Sequence, residues 1–194
     1  MIAPDDILRA RVLVVDDQPV NAELLEYLLT ASGYINVSAT SDPSQVAPLH
    51  AQHRYDLIIL DLHMPGMSGF DVMEALKVVE TGPWLPVLVV TAEPDMKVAA
   101  LDAGARDFIS KPFDAVEVLT RIRNLLEVRL LHRESTSYGE RLEQTVRERT
   151  AALQRFRSAM DATSDAIFLI DADSMELVDV SDGACRMLGF SRDA

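Results

Sequence analysis

The sequence predicts a doubly wound α/β domain on a five-stranded parallel sheet, followed by a long helix and a short mixed segment. Three observations carry this reading. Five short apolar runs rich in Val, Ile and Leu punctuate the first 110 residues. Segments with helical spacing lie between them, so strand and helix alternate as in α/β folds. From Asp114 onward that alternation gives way to a single long helical repeat.

The strands are read at Val12–Val15, Ile35–Ala39, Leu57–Leu60, Val87–Val90 and the weaker Phe108–Ile109. Four of them are continuous apolar runs, the pattern of parallel strands buried on both faces. The first connecting helix covers Val20–Leu29, where Leu24, Leu25, Leu28 and Leu29 recur one turn apart. Pro19 suits its first turn and Gly33 its carboxyl cap. Further helices are read at Ser44–His53, Phe70–Val79 and Asp95–Ala103, the last ending at Gly104. Crossovers in such a fold are right-handed, and sites form beyond the carboxyl ends of the strands.

Beyond Asp114 no Pro or strand signal appears until about residue 163. Leu142, Val146, Arg149, Leu153, Phe156 and Met160 alternate steps of four and three, a heptad seam with one polar member. The register does not continue cleanly upstream, which predicts a stutter or local break at Ser135–Gly139. A seam of this length implies a partner helix; the alternative is a helix folding back on its own domain. Ala166–Ile170 and Glu176–Val180 read as two strands around an Asp171–Ser174 turn, with a short helix over Gly183–Leu188. A lone hairpin is marginal. The segment therefore reads as the opening of a domain whose remainder is missing, or else as a loosely ordered tail.

The chain has 194 residues and a formal net charge of −13, with 48% hydrophobic and 25% charged residues. That is the balance of a globular protein with an ample core. An acidic chain is a poor match for nucleic acid or an anionic membrane surface, which select basic patches. One cysteine excludes an intrachain disulfide framework and a cysteine-based zinc site. No apolar run approaches 18 residues and the first twenty lack a basic region, so neither a membrane span nor a signal peptide is expected, and the cytoplasm is. Residues 1–130 carry a net −9, residues 131–160 a net +2, and residues 161–194 a net −6. A mixed-charge middle between acidic ends reads as a connecting helix. It gives expected boundaries of 9–130 for the α/β domain, 131–160 for the helix and 161–194 for the incomplete segment.

The chemistry collects at strand ends. Asp16 and Asp17 follow the first strand, Asp61 the third, Thr91 the fourth, and Ser110-Lys111-Pro112 the fifth. Parallel strands bring these to one edge of the sheet. Three carboxylates together call for a hard cation with oxygen ligands, which suits Mg2+. A hydroxyl from Thr91 and an ammonium from Lys111 are what an incoming phosphoryl group needs. One carboxylate can then act as nucleophile, and Asp61, alone before a Pro-Gly loop, is best placed.

Val12-Leu-Val-Val-Asp-Asp17, Asp56-Leu-Ile-Ile-Leu-Asp61 with His63-Met-Pro-Gly66, Thr91-Ala92 and Lys111-Pro112-Phe113 together resemble the receiver domain of two-component response regulators over residues 9–130. The resemblance implies a flavodoxin-like sheet of order 2-1-3-4-5. It implies Asp61 as phosphoacceptor, Asp17 as main Mg2+ ligand assisted by Asp16, and the backbone carbonyl of His63 in the metal shell. Lys111 would pair with the phosphoryl group, and a cis bond would precede Pro112. Thr91 would close on the phosphate while Phe108 serves as the aromatic switch. An aspartate-nucleophile phosphatase fits less well: it wants an acid where His63 stands and leaves Asp16 and Asp17 unexplained. A degenerate receiver, kept as a dimerisation module, is disfavoured because none of the five chemical positions is substituted.

Arg141–Leu153 resembles the helical connectors of bacterial signalling proteins, and residues 156–171 with Met187-Leu-Gly-Phe-Ser-Arg192 resemble the opening of a PAS domain. The expected whole is a receiver phosphorylated by a histidine kinase or phosphotransfer protein. A homodimer would form through a coiled-coil seam of Leu142, Val146, Leu153, Phe156 and Met160. The chain catalyses only its own phosphotransfer, so it is not expected to be an enzyme in itself. An output enzyme outside it, such as a cyclic-dinucleotide synthase or hydrolase or a kinase, is the leading expectation, with a partner-binding adaptor as the alternative.

Overall fold

The computed structural model describes residues 2–80, 84–93 and 95–189. The motif residues Phe190, Ser191 and Arg192 lie outside the described residues. The chain divides into two units, residues 1–136 and 137–194, which are taken separately below.

The first unit is a five-stranded sheet formed by β1 (Arg11–Val15), β2 (Asn36–Thr40), β3 (Leu57–Asp61), β4 (Val87–Thr91) and β5 (Asp107–Ser110). Its order is β2-β1-β3-β4-β5, and every pairing is parallel. The predicted architecture and order are therefore present. Between the strands run α2 (Pro19–Ala31), α3 (Val46–His53, after a 3-10 turn at Pro43–Gln45), α4 (Gly69–Val79) and α5 (Met96–Ala103). A short α1 (Pro4–Leu8), not anticipated from the sequence, precedes them; its Ile7 is buried in the core.

Alternate residues of each strand face opposite sides of the sheet, so each side has its own core. Val12, Val14, Ile59 and Val90 pack with Leu25 and Leu29 of α2 and with Ile122 and Leu126 of α6 (Ala115–Ala162). Leu13, Val15, Ile58, Leu60 and Val89 pack with Val46, Val72, Met73, Leu76 and Ala100 of α3, α4 and α5. The expectation that the continuous runs are buried on both faces holds for β3 and β4 and, apart from its first residue, for β1, but in β5 only Ile109 is fully buried. As the edge strand, β2 buries none of its five residues fully, and Ile35 falls before it, two-thirds exposed.

Two features hold this unit together at the amino end of the sheet. Asp56, just before β3, accepts from the backbone N–H of Arg11 and from the Arg133 guanidinium on α6. Arg129, one turn earlier on α6, is buried, donates to the carbonyl of Trp84 at 2.5 Å and lies 3.6 Å from Glu80, whose other oxygen meets buried His50 at 2.6 Å. These pairings bind α6 to the ends of α3, α4 and β3.

α6 runs from Ala115 to Ala162 without interruption, so of the stutter or local break read at Ser135–Gly139 the break does not occur. A single glycine costs a helix about 1 kcal/mol, which 48 residues of helix absorb. In the second unit Leu142, Val146, Leu153 and Phe156 are all more than half exposed, whereas Met160 is buried within the unit. Glu143 pairs with Arg147 along the helix surface. β6 (Phe168–Ile170) and β7 (Leu177–Val180) form the antiparallel hairpin, followed by α7 (Asp182–Leu188). Asp171 caps the turn by accepting from the N–H groups of Asp173 and Ser174. Cys185 is only partly covered.

Candidate functional site

The site is built by strand ends. β1 delivers Asp16 and Asp17, β3 ends on Asp61, β4 ends on Thr91, and β5 leads to Lys111. The register fixes them side by side, with Asp61 opposite Val90 and Thr91 opposite Ser110. Asp16, Asp17 and Asp61 each offer a carboxylate oxygen within 4.8 Å of the others. Asp16 and Asp61 are buried, so their charges need compensation.

Lys111 supplies part of it. Its Nζ donates to Asp16 Oδ2 and to Asp61 Oδ2, both at 2.8 Å. Burial pulls the ammonium pKa down, but the hydrogen bonds and charges of the two aspartates outweigh this and hold it above the ordinary lysine value. The Lys111–Pro112 bond is cis, as expected.

The three carboxylates are not equivalent. Asp16 is fully engaged: Oδ1 accepts the Gln18 N–H at 3.0 Å and the Asn21 amide at 3.1 Å, while Oδ2 accepts Lys111. Asp61 Oδ1 accepts the His63 N–H at 3.3 Å. Asp17 Oδ1 is buried with no hydrogen-bond partner. A buried carboxylate oxygen without a donor, beside two further carboxylates, is the arrangement a hard divalent cation satisfies, so these residues fit Mg2+.

Thr91 is fully buried and its hydroxyl oxygen accepts the Glu93 N–H at 3.1 Å, which leaves its proton to donate elsewhere. The His63 ring is exposed and lies 3.3 Å from Glu93, a contact between the β3–α4 and β4–α5 loops that the sequence did not signal. Phe108 sits in β5, half-buried, with Lys97 Nζ 5.0 Å from its ring centre. Leu62, Met64, Phe70 and Met96 line a cleft beside the loop that follows Asp61. The loop is tight: a Cβ on Gly69 would lie 2.6 Å from the Asp61 carbonyl oxygen and 2.9 Å from Leu62 Cα. The remaining sequence-derived positions, the seam from Leu142 to Phe156, lie on α6 and take no part in this site.

The carboxyl edge of this parallel sheet thus carries three carboxylates and a lysine that bonds two of them. The family model for the response regulator receiver domain matches residues 12–123, and a PAS domain model matches residues 154–194. The chain belongs to the response regulator receiver family. It is 40% identical over 117 residues to the probable transcriptional regulatory protein TcrX of Mycobacterium tuberculosis, covering 59% of this chain and 49% of that one. It is also 40% identical over 126 residues to the response regulator PleD of Caulobacter vibrioides, covering 64% of this chain and 28% of that one. The chain thus spans about half the length, or less, of these curated relatives. Among solved structures, the Vibrio cholerae chemotaxis protein CheY4 aligns at a TM-score of 0.56 with 28% identity, covering 60% of this chain and 98% of that one. The receiver domain of the Pseudomonas aeruginosa sensor histidine kinase PA1611, solved with a magnesium ion in its active-site cleft, aligns at 0.56 with 27% identity, covering 61% and 98%. Among the described residues no helix is long and apolar enough to cross a membrane.

Proposed function

We propose that this chain is a phosphorylation-controlled receiver in which Asp61 accepts a phosphoryl group from a histidine kinase or phosphotransfer protein in a Mg2+-dependent reaction. The observation that carries the reading is the convergence of Asp16, Asp17 and Asp61 within 4.8 Å beside a lysine bonded to two of them. Asp17, Asp61 and the His63 carbonyl would hold the cation, with Asp16 supporting. Bound there, Mg2+ supplies the positive charge that lets an anionic carboxylate and an anionic phosphoryl group approach.

A carboxylate oxygen of Asp61 attacks phosphorus in line with the phosphohistidine nitrogen. The P–N bond breaks as the P–O bond forms, its electron pair returns to the imidazole, and the product on Asp61 is an acyl phosphate. The His63 N–H keeps the carboxylate oriented. Lys111 shifts from Asp61 Oδ2 to a phosphoryl oxygen, and the free proton of Thr91 is donated to another. Phe108, three residues before Lys111 on the same strand end, turns with Thr91 as the readout.

The domain boundaries follow the sequence reading: receiver over 9–130, connecting helix over 131–160, PAS-like segment over 161–194. We place the protein in the cytoplasm as a homodimer joined along α6, where Leu142, Val146, Leu153 and Phe156 present an uncovered apolar stripe. The state of Asp61 would pass along that helix to an output enzyme outside this chain, such as a cyclic-dinucleotide synthase or hydrolase or a kinase. The chain itself turns over no external substrate. Incubation with acetyl phosphate and Mg2+ tests the core of the reading: Asp61→Asn abolishes labelling, and labelling retained in that variant refutes the assignment.

A further inference from the structure

Asn21 occupies the third position of α2, whose cap residue Gln18 makes no side-chain capping bond. A polar side chain at this position commonly reaches back to the backbone N–H at the head of its own helix. Asn21 instead sends its amide out of the helix to Asp16 Oδ1, 3.1 Å away, and the Gln18 N–H goes to the same oxygen at 3.0 Å. Two donors from different directions meet one oxygen while Lys111 meets the other.

The terminal torsion of an aspartate is broad and is fixed only by its hydrogen bonds. With the Gln18 bond alone, the carboxylate can pivot about that bond and carry Oδ2 away from Lys111. The lysine is shared evenly between Asp16 and Asp61, at 2.8 Å each. Released by Asp16, its ammonium would belong wholly to Asp61 and would compete there with any cation. The orientation of Asp16 therefore decides how much of Asp61 remains open.

We propose that Asn21 is a positioning residue of the phosphoryl-acceptor site: it locks Asp16 so that this carboxylate retains Lys111 and leaves Asp17 and Asp61 to the divalent cation. The proposal rests on the reading of the carboxylate cluster as a Mg2+ site. Groups that orient a metal site from outside its ligand set are worth about 10–100-fold in affinity. Because the Gln18 N–H still holds Asp16 Oδ1, the lower end of that range applies here.

The test is calorimetric titration of the full chain with Mg2+ and no phosphodonor, comparing the parent with Asn21→Ala and Asn21→Leu. Alanine and leucine are both good helix formers, and leucine also keeps the branched four-atom skeleton of the side chain. Both variants should keep the far-UV circular dichroism of the parent and bind Mg2+ with a Kd raised about tenfold. At saturating Mg2+ the rate of labelling by acetyl phosphate should fall by less than the Kd rises. If either folded variant binds Mg2+ as tightly as the parent, Asn21 only supports the helix and the proposal is overturned. Failure of the parent to bind Mg2+ overturns the underlying reading as well, so the two failures are told apart by the parent alone.

Discussion

Lys111 sets the electrostatics of the acceptor site at the scale of single residues. Its pKa is raised despite burial, because two carboxylates bond it. A raised pKa stabilises the folded state below the ordinary lysine value of about 10.4, and the contribution is lost only as pH rises through the folded value. It is therefore fully present at neutral pH. Lys111→Met leaves buried Asp16 and Asp61 facing each other without their cation and should cost about 1–3 kcal/mol in the absence of Mg2+. Thermal melts check this: added Mg2+ should raise the midpoint of the variant by more than that of the parent. Equal gains would mean that the lysine and the metal do not act on the same charges. The five polar residues at the strand ends were legible in the sequence because a buried parallel strand fixes what stands at its end. Asn21 and Glu93 were not, since their partners depend on how each turn doubles back. The N–H bond of His63 to Asp61 and its ring contact with Glu93 emerged only in three dimensions.

Among the elements, α4 begins directly against the site. Ser68 and Asp71 form a reciprocal capping box at its start, and the Ser68 hydroxyl and N–H hold the Asp71 carboxyl below the usual carboxylate range. Gly69 then lets the helix begin directly against the Asp61 carbonyl. The two nearest atoms are backbone, which cannot swing aside. Gly69→Ala should therefore cost about 1–3 kcal/mol and slow labelling of Asp61, as denaturant unfolding and acetyl phosphate assays would show. A change confined to stability would mean that the Asp61 loop absorbs the methyl group without moving its carboxylate. The helices of the α/β unit were legible to within a residue or two from apolar spacing. Two elements were less so. α1 is a five-residue turn with one buried residue, too short for a periodic signal, and β2 was placed to within a residue but its exposure as an edge strand was not foreseen. Composition cannot tell an edge strand from a central one, because that depends on what pairs beside it.

Considered as a whole molecule, the chain joins a receiver to a PAS-like segment by one 48-residue helix. The sequence foresaw the helix, but not the burial of Met160 inside the second unit. Register arithmetic sees only side-chain phase, and a helix tolerates a phase slip that a coiled coil would have to accommodate. If the seam is a dimer interface, the double variant Leu142→Asp, Leu153→Asp should sediment as a monomer where the parent sediments as a dimer. A parent already monomeric would remove the dimeric helix from the proposal. Beneath all of this lies the chemistry of Asp61. The full chain, incubated with acetyl phosphate and Mg2+, should gain the mass of one phosphoryl group, mapped by peptide sequencing to Asp61 and absent when the metal is chelated. A phosphoryl group found on any other residue, or gained equally without Mg2+, would show that the carboxylate cluster is not the acceptor site.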